Sequence, residues 1–414
     1  MKKLRCKVYM TAGCNTVSFG TGRKEFNPKK ARPGLEKYIQ DAGQGTLKLI
    51  GGAKNVDEGV IGNFMAARFN KQANLPAFMP MIDEGLLWKP AISTEGACCS
   101  GGLAVVAGIR SVLAETGDVV LTVGFEVQNT VKAIYGADIL AGAGWFQDRK
   151  AGHAYYFPGK FSDRAGEYFK KYGREKTRQA FARWYRQAVE NARLCPTAQE
   201  YHNTVKDLEA QAMTEPSASA FVEYLNVFDC SKVSDGASAI AIMSEEGLKK
   251  CGIAKKDATE VVGWAQVEAD ITKPPADLTQ LETSRRAVAE ALACAGITPA
   301  DLGTVECHDC FTIAAVMSLE AIGLCKPGEG PDFILQGHTA RNGKIPFNTT
   351  GGLIGWGHPT GATGVHQAVT LWEQLTGKAG DSQVIIPKDR PYGLSVNMGG
   401  DDKTIAAIVY KRAE

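Results

Sequence analysis

Residues 94–102, TEGACCSGG, place the adjacent cysteines Cys98 and Cys99 directly before a predicted helix over residues 100–115. The small residues 100–102 permit a tight strand-to-helix turn at this point. Backbone N–H groups at a helix start favour an anion, so we expect a lowered pKa for the Cys98 thiol. A thiol prepared in this way suits a nucleophile that accepts an acyl group. Taken alone, the pair also fits two buried core cysteines.

Two further segments carry reactive side chains. Residues 306–311, ECHDCF, supply His308 and Cys310, and residues 352–364, GLIGWGHPTGATG, supply His358 in a glycine-rich frame. A histidine at the start of such a turn can take a thiol proton and donate to a developing oxyanion. The C-x-x-C spacing of residues 307–310 would also suit redox or zinc chemistry, but no second ligand pair is spaced for zinc.

The order and context of these three segments resemble the thiolase superfamily. They are most similar to its sterol-carrier-protein-type and archaeal branch, in which the His-Asp-Cys-Phe motif is diagnostic. The resemblance implies that Cys98 is the nucleophile, that His358 is its base, and that His308 stands where most thiolases carry an asparagine.

A departure from the family pattern lies near the C-terminus. Most thiolases keep a second catalytic cysteine there in a Cys-x-Gly-Gly frame, whereas this chain has Asn397 followed by Met398, Gly399 and Gly400. We therefore expect Cys310 to be the second proton-handling thiol. The resemblance also implies that backbone N–H groups of Cys98, Gly399 and Gly400 face the substrate oxygens.

The fold expected from the alternation of strand-like and helix-like segments is α/β. The resemblance implies a thiolase fold, with two similar α/β halves in a five-layered αβαβα arrangement and a loop-domain insertion. We expect an N-terminal half over residues 1–132 that returns over residues 226–248. A loop domain covering the active site would span residues 133–225, and a C-terminal half residues 249–414.

The family chemistry is cleavage of a 3-ketoacyl-CoA by CoA through an acyl-cysteine. Coenzyme A is then a co-substrate, and we expect no bound cofactor and no metal. Trp356, and with it Phe311, could line a pocket for a bulky or aromatic acyl group, as in the family members that split benzoylsuccinyl-CoA into benzoyl-CoA and succinyl-CoA. For Trp356, a role in covering the surface is equally open.

Alternatives are a biosynthetic acetyl-CoA acetyltransferase or condensing synthase, and a non-catalytic acyl-CoA-binding subunit. Condensing synthases usually lack a second catalytic cysteine, so Cys310 counts against that alternative. A pseudo-enzyme has no need of Cys98, His308, Cys310 and His358 together.

Composition limits the partners. The formal net charge of +2 draws the chain neither to nucleic acid nor to a membrane surface, and no apolar run is long enough for a transmembrane helix. Eleven scattered cysteines fit reduced thiols in the cytoplasm. The resemblance implies a homodimer or a dimer of dimers, and a possible small zinc-ribbon/OB-fold partner subunit.

Overall fold

The computed structural model describes residues 6–148 and 152–414. Within them, nine strands form one mixed sheet in the order β3-β2-β4-β5-β1-β6-β9-β8-β7. The strands are β1 Val8–Asn15, β2 Glu58–Gly62, β3 Ala91–Thr94, β4 Val119–Val127, β5 Asp235–Met243, β6 Thr259–Glu268, β7 Leu302–Glu306, β8 Tyr392–Gly399 and β9 Thr404–Arg412. The helices are α1 Leu35–Leu49, α2 Ala66–Phe69, α3 Met79–Ile82, α4 Ser100–Leu113, α5 Ala133–Leu140, α6 Tyr156–Tyr172, α7 Arg174–Ala192, α8 Leu208–Ala212, α9 Glu245–Cys251, α10 Glu282–Ala295, α11 Thr312–Ile322, α12 Gly330–Leu335, α13 Gly352–Gly355 and α14 Thr363–Thr376.

The sheet consists of two similar halves that meet where β1 pairs with β6. Outward from this seam the N-terminal half runs β1, β5, β4, β2, with two antiparallel pairings and then a parallel one. The C-terminal half runs β6, β9, β8, β7 in the same orientations. Only β3, at the far edge of the first half, has no counterpart among the described strands. This repeat of topology is not visible as a repeat of sequence.

Helices complete the expected five layers. The two central helices, α4 and α14, contact each other and strands of both halves. Their apolar faces form one buried cluster with inward residues of both sets of strands, including Val105, Val365, Val60 and Ile408. On the outer faces, α1 covers the N-terminal strands, and α10 with α11 covers the C-terminal strands. The α/β, αβαβα prediction is therefore confirmed.

The described part of the segment between β4 and β5 holds α5 to α8 and contributes no strand to the sheet. We keep residues 133–225 as the proposed loop domain, and the other predicted boundaries also remain proposals. Residues 1–5 of the proposed N-terminal half, and residues 149–151 of the loop domain, lie outside the described residues. None of the helices described is both long and apolar enough to cross a membrane.

Candidate active site

The two central helices begin side by side, and the reactive residues precede them. Cys98 lies in the turn before α4, and His358 lies in the loop before α14. Glycines allow the two helix starts to touch. A Cβ on Gly101 would lie 2.7 Å from the carbonyl oxygen of Gly361, and one on Gly364 only 2.1 Å from the backbone nitrogen of Gly102. Any larger residue would push the two segments apart.

Three predicted residues come together at this point. The Cys98 Sγ and one ring nitrogen each from His308 and His358 all lie within 4.8 Å of one another. The two imidazole rings stand nearly perpendicular, at 86°, with their centroids 5.2 Å apart. Both histidines are buried, while Cys98 as a residue is partly exposed, although the surrounding segments desolvate its sulfur. The arrangement can deliver a thiol to a substrate carbonyl that two imidazoles also reach.

His358 is held as a neutral base. Its Nδ1 lies 2.6 Å from Thr363 Oγ1, and that hydroxyl is also 3.2 Å from the Pro359 carbonyl oxygen, which can only accept a hydrogen bond. Thr363 therefore donates to Pro359 and accepts from His358 Nδ1–H. The opposite nitrogen, Nε2, is buried and has no hydrogen-bond partner among the residues that the structure describes. Burial lowers the pKa of His358 to about 3, so this nitrogen carries a free lone pair.

His308 contacts a residue that the sequence had marked only as a substitution. The Asn397 side-chain nitrogen lies 3.1 Å from His308 Nδ1 and 3.2 Å from the Cys98 carbonyl oxygen. The Asn397 side-chain oxygen accepts from the Gly102 backbone N–H at 3.0 Å. Burial, and to a smaller extent the neighbouring His358, lower the pKa of His308 well below its usual value.

The expected lowered pKa of the Cys98 thiol is wrong. Burial, followed by the carboxyl of Glu126, raises the pKa of Cys98 to about 12. The backbone N–H groups of Cys98 and Gly400 favour the thiolate but do not offset this. A helix start contributes only about 0.3–1 kcal/mol, whereas burial can shift a pKa by about 3–5 units. Cys98 therefore rests as a thiol and needs a base.

Cys310 is close to this group but is not part of it. Its thiol is buried, and it does not belong to the group formed by the Cys98 sulfur and the two histidine nitrogens, which lie within 4.8 Å of one another. Burial, and next the nearby Cys98, raise the pKa of Cys310 well above its usual value. Its carbonyl oxygen accepts from the Ser231 backbone N–H at 2.8 Å, which fixes the segment. The next residue, Phe311, stacks on Phe161 of α6 with centroids 4.5 Å apart, so the proposed loop domain packs directly on the motif.

The glycine pair after β8 has two different surroundings. The backbone N–H of Gly400 faces the Cys98 sulfur and favours its thiolate, while its role toward a substrate oxygen remains a proposal. Gly399 ends β8, where an added Cβ would lie 2.1 Å from the Gly96 carbonyl oxygen. The structure thus shows why residue 399 is a glycine, and an oxyanion role for its N–H remains a proposal.

Two aspartates that follow these glycines hold the turn in place. Asp401 Oδ1 accepts from Nε of the fully buried Arg164 at 2.6 Å. The Asp402 carboxylate accepts the backbone N–H groups of Thr283 and Ser284, the first turn of α10. Nothing local in the sequence points to Arg164, which is 237 residues away from Asp401.

Two buried carboxyl groups tie the catalytic segments together, and sequence analysis missed both roles. Glu126, at the end of β4, accepts from the Thr360 hydroxyl at 2.7 Å and from the Phe64 backbone N–H at 3.0 Å. Asp309 accepts from Trp184 Nε1 at 3.0 Å and from the Leu353 backbone N–H at 2.8 Å. The first links the His358 loop to the N-terminal half, and the second links it to the His-Asp-Cys-Phe motif.

Trp356 does not line the site, and the prediction that it forms an acyl pocket is wrong. Its side chain is fully buried and packs with Ala192, Cys195 and Ala198. The indole stacks on His366 with centroids 3.6 Å apart. It also donates from Nε1 to Thr197 Oγ1 at 3.1 Å. Gly357, with a φ of +115°, turns the chain between Trp356 and the catalytic histidine. The tryptophan supports the loop from behind and does not cover a surface.

We expect Trp356→Ala to lower the free energy of unfolding by about 3–5 kcal/mol, because it leaves a cavity beside His366. Urea denaturation followed by circular dichroism measures this loss. Trp356→Phe keeps a ring on His366 and should cost less. Activity of the folded fraction should fall equally on acetoacetyl-CoA and on an aryl 3-ketoacyl-CoA. A loss confined to the aryl substrate would contradict the position described here.

The cysteine and the two histidines are also ligand types that zinc accepts. Each histidine has its Nδ1 engaged, by Thr363 or by Asn397, and keeps Nε2 for a ligand. The absence of a metal therefore remains a prediction.

Comparisons with known proteins agree with the fold. Residues 265–412 match the family described as "Thiolase C-terminal domain-like". The chain is 31% identical over 381 residues to an acetyl-CoA acetyltransferase of Methanothermobacter thermautotrophicus, covering 90% of this chain and 94% of the relative. It is 28% identical over 370 residues to the benzoylsuccinyl-CoA thiolase subunit BbsB of Thauera aromatica, covering 84% and 92%.

Among solved structures, the chain is similar to one described as an Ltp2-ChsH2(DUF35) aldolase. The TM-score is 0.76 with 21% identity, and the match covers 99% of this chain and 98% of the other. At this identity the likeness shows the fold alone.

Proposed function

Because this chain belongs to the thiolase superfamily and is an acyltransferase, we propose that it cleaves a 3-ketoacyl-CoA with CoA through an acyl-Cys98 intermediate. The observation that carries the proposal is the position of the Cys98 thiol between two neutral histidines. One of them, His358, has a buried ring nitrogen with no hydrogen-bond partner among the described residues. A thiol whose pKa is about 12 needs such a base at the moment of attack.

In the first half-reaction, His358 Nε2 takes the proton of Cys98 as its sulfur bonds to the 3-keto carbon. The C2–C3 bond of the substrate then breaks, leaving an acyl thioester on Cys98 and the enolate of acetyl-CoA or a substituted acetyl-CoA. His308 and the protonated His358 donate hydrogen bonds to the developing oxyanions, and Cys310 gives its proton to C2 of the enolate.

In the second half-reaction, the Cys310 thiolate takes the proton of CoA. The CoA sulfur attacks the acyl-Cys98 thioester, and the Cys98 sulfur leaves and regains the proton from His358. The net reaction is one 3-ketoacyl-CoA and one CoA giving two acyl-CoA molecules. The Cys98 proton returns from His358, and the CoA proton replaces the one that Cys310 gave to C2. Both thiols therefore end the cycle protonated, and the reaction needs no oxidant or reductant.

Mass spectrometry of the protein mixed with a 3-ketoacyl-CoA, without free CoA, tests the intermediate. We expect one acyl adduct, located on Cys98 by peptide mapping and lost on addition of CoA. An adduct on Cys99 or Cys310, with Cys98 unmodified, would overturn the proposal.

A second candidate substrate, beside a simple 3-ketoacyl-CoA such as acetoacetyl-CoA, is an aromatic one such as benzoylsuccinyl-CoA, which would give benzoyl-CoA and succinyl-CoA. Its support is now the benzoylsuccinyl-CoA thiolase relative alone, since Trp356 is buried away from the site. Comparing kcat/KM for benzoylsuccinyl-CoA and acetoacetyl-CoA decides between the two.

We also propose that the protein is a homodimer that pairs through β3. This strand ends the sheet and has a partner on one side only within the described residues. Ile92 on this strand has an exposed side chain, as do Leu87 and Trp88 shortly before it in the sequence, and Trp88 is 96% exposed. Two copies related by a two-fold axis could pair these edges and cover the apolar groups.

Light scattering should give twice the mass of one chain. Ile92→Lys should shift the protein toward the monomer, because a lysine on an edge strand opposes pairing. Ile385→Lys changes an isoleucine elsewhere that is even more exposed than Ile92, and it should leave the mass unchanged. A wild-type monomer at micromolar concentration would refute the dimer.

A small zinc-ribbon/OB-fold partner remains part of the proposal. It is supported by the similar structure in which a thiolase-fold chain is described together with a DUF35 protein. Co-expression with a small zinc-ribbon/OB-fold protein, followed by gel filtration, would test the association.

A further inference from the structure

The geometry points to a role for Asn397 that neither the sequence nor the comparisons assign. We propose that Asn397 is a positioning residue that holds His308 in its Nε2–H tautomer, so that His308 donates a hydrogen bond to substrate and cannot take a proton from Cys98. The proposal rests on the thiolase function above only for its catalytic consequence.

Two backbone groups fix the orientation of the Asn397 amide. The Gly102 N–H can only donate, so the side-chain atom 3.0 Å from it must be the amide oxygen. The Cys98 carbonyl can only accept, so the atom 3.2 Å from it must be the amide nitrogen. Asn397 is only 2% exposed, and a flipped amide would break both contacts.

The same nitrogen determines the tautomer of His308. An amide NH2 group has two hydrogens and no acceptor, and one hydrogen points to the Cys98 carbonyl. The other is left for His308 Nδ1, 3.1 Å away, which must therefore carry a lone pair. In a neutral imidazole the proton then sits on Nε2.

The two histidines around Cys98 thus have opposite tautomers. Thr363 holds the proton of His358 on Nδ1 and leaves an acceptor at Nε2, while Asn397 leaves a donor at Nε2 of His308. One ring can act as the base for the thiol, and the other can hold an oxyanion. A cysteine at position 397 could exchange a proton, but it could not make these three fixed contacts.

Histidine NMR measures the tautomer directly and needs no substrate. In protein labelled with 15N-histidine, the signal missing from His308→Asn identifies His308. We expect a pyridine-type Nδ1 and a protonated Nε2 at neutral pH. A wild-type spectrum with the proton on Nδ1 would overturn the proposal, whatever the enzyme's activity.

Asn397→Asp supplies the matched change, because an aspartate oxygen replaces the amide nitrogen facing His308. We expect the His308 proton to move to Nδ1. Asn55→Asp, at a distant site where the amide donates to the Ile50 carbonyl, should leave the spectrum unchanged. An unshifted His308 signal in folded Asn397→Asp would refute the assignment.

A double-mutant cycle tests the consequence for catalysis. Asn397→Asp should lower kcat by about 10²–10³-fold, the usual effect of losing one oxyanion donor. His308→Asn presents an amide N–H that has no tautomer, so adding Asn397→Asp to it should change kcat by no more than about twofold. Losses that multiply in the double variant would mean that Asn397 acts through the Cys98 backbone instead. Acyl trapping on Cys98 tests the thiolase function separately.

Discussion

Cys98→Ala should abolish thiolysis. We expect kcat to fall by about 10⁶-fold, which is the usual loss when an acyl-transfer enzyme loses its nucleophile. Cys98 Sγ is the sulfur that lies beside both catalytic histidines, and without it no acyl group can be stored between the two half-reactions. The measurement is the rate of CoA-dependent cleavage of acetoacetyl-CoA. Folding should be preserved, because Cys98 is partly exposed and its side chain is small.

The neighbouring cysteine provides the control. Cys99 is fully buried, and its thiol donates to the Asn397 carbonyl oxygen at 3.2 Å. Cys99→Ser keeps a donor of similar size and should keep acylation of Cys98. Substantial turnover by Cys98→Ala, or loss of the acyl adduct only in Cys99→Ser, would move the nucleophile to Cys99.

Local sequence was sufficient for most of the fold near the site. The apolar run after Cys98 predicted a helix over residues 100–115, and α4 spans Ser100–Leu113. The apolar run over residues 118–124 indicates a buried strand in the same way, and β4 spans Val119–Val127. Such elements are buried on nearly all sides, so their own residues determine them. The motifs likewise identified Cys98, His308 and His358, which the structure brings together.

Contacts between distant segments could not be predicted in this way. Arg164 with Asp401, and Glu126 with Thr360, join positions more than two hundred residues apart by single hydrogen bonds. Left-handed glycines stand on both sides of Trp356, at Gly351 and Gly352 before it and at Gly357 after it, and they separate the direction of its side chain from that of His358. A single sequence predicts neither the distant partner of a buried charged group nor the direction of a side chain beside such a turn.

The error on the Cys98 pKa has a similar origin. The predicted helix start is present, but the sequence did not show that Glu126 would lie near the sulfur or how strongly the thiol would be desolvated. Both effects favour the neutral thiol. The site therefore depends on a neutral base within reach, and this gives the unpartnered His358 nitrogen its importance.

Cys310→Ala should separate the two halves of the reaction. We expect thiolysis of acetoacetyl-CoA to fall by about 10²–10⁴-fold, the usual contribution of a positioned proton donor. Acetylation of Cys98 by acetyl-CoA should persist, since transfer of an acetyl group to Cys98 creates no carbanion. Burial and the nearby Cys98 raise the pKa of Cys310, so it is protonated and able to donate when the enolate forms. Rapid-quench measurement of both steps on one preparation gives the comparison.

Cys230 is the alternative thiol and so the matched control. It forms an isolated bridge opposite Phe311, and its thiol donates to the Asn226 carbonyl oxygen at 3.4 Å. Burial, with Asp229, raises its pKa as well. Cys230→Ala should retain thiolysis within a few-fold of wild type. If Cys230→Ala loses cleavage while Cys310→Ala retains it, the proton donor is Cys230. Cys310 would then not replace the catalytic cysteine that most thiolases carry at the position of Asn397.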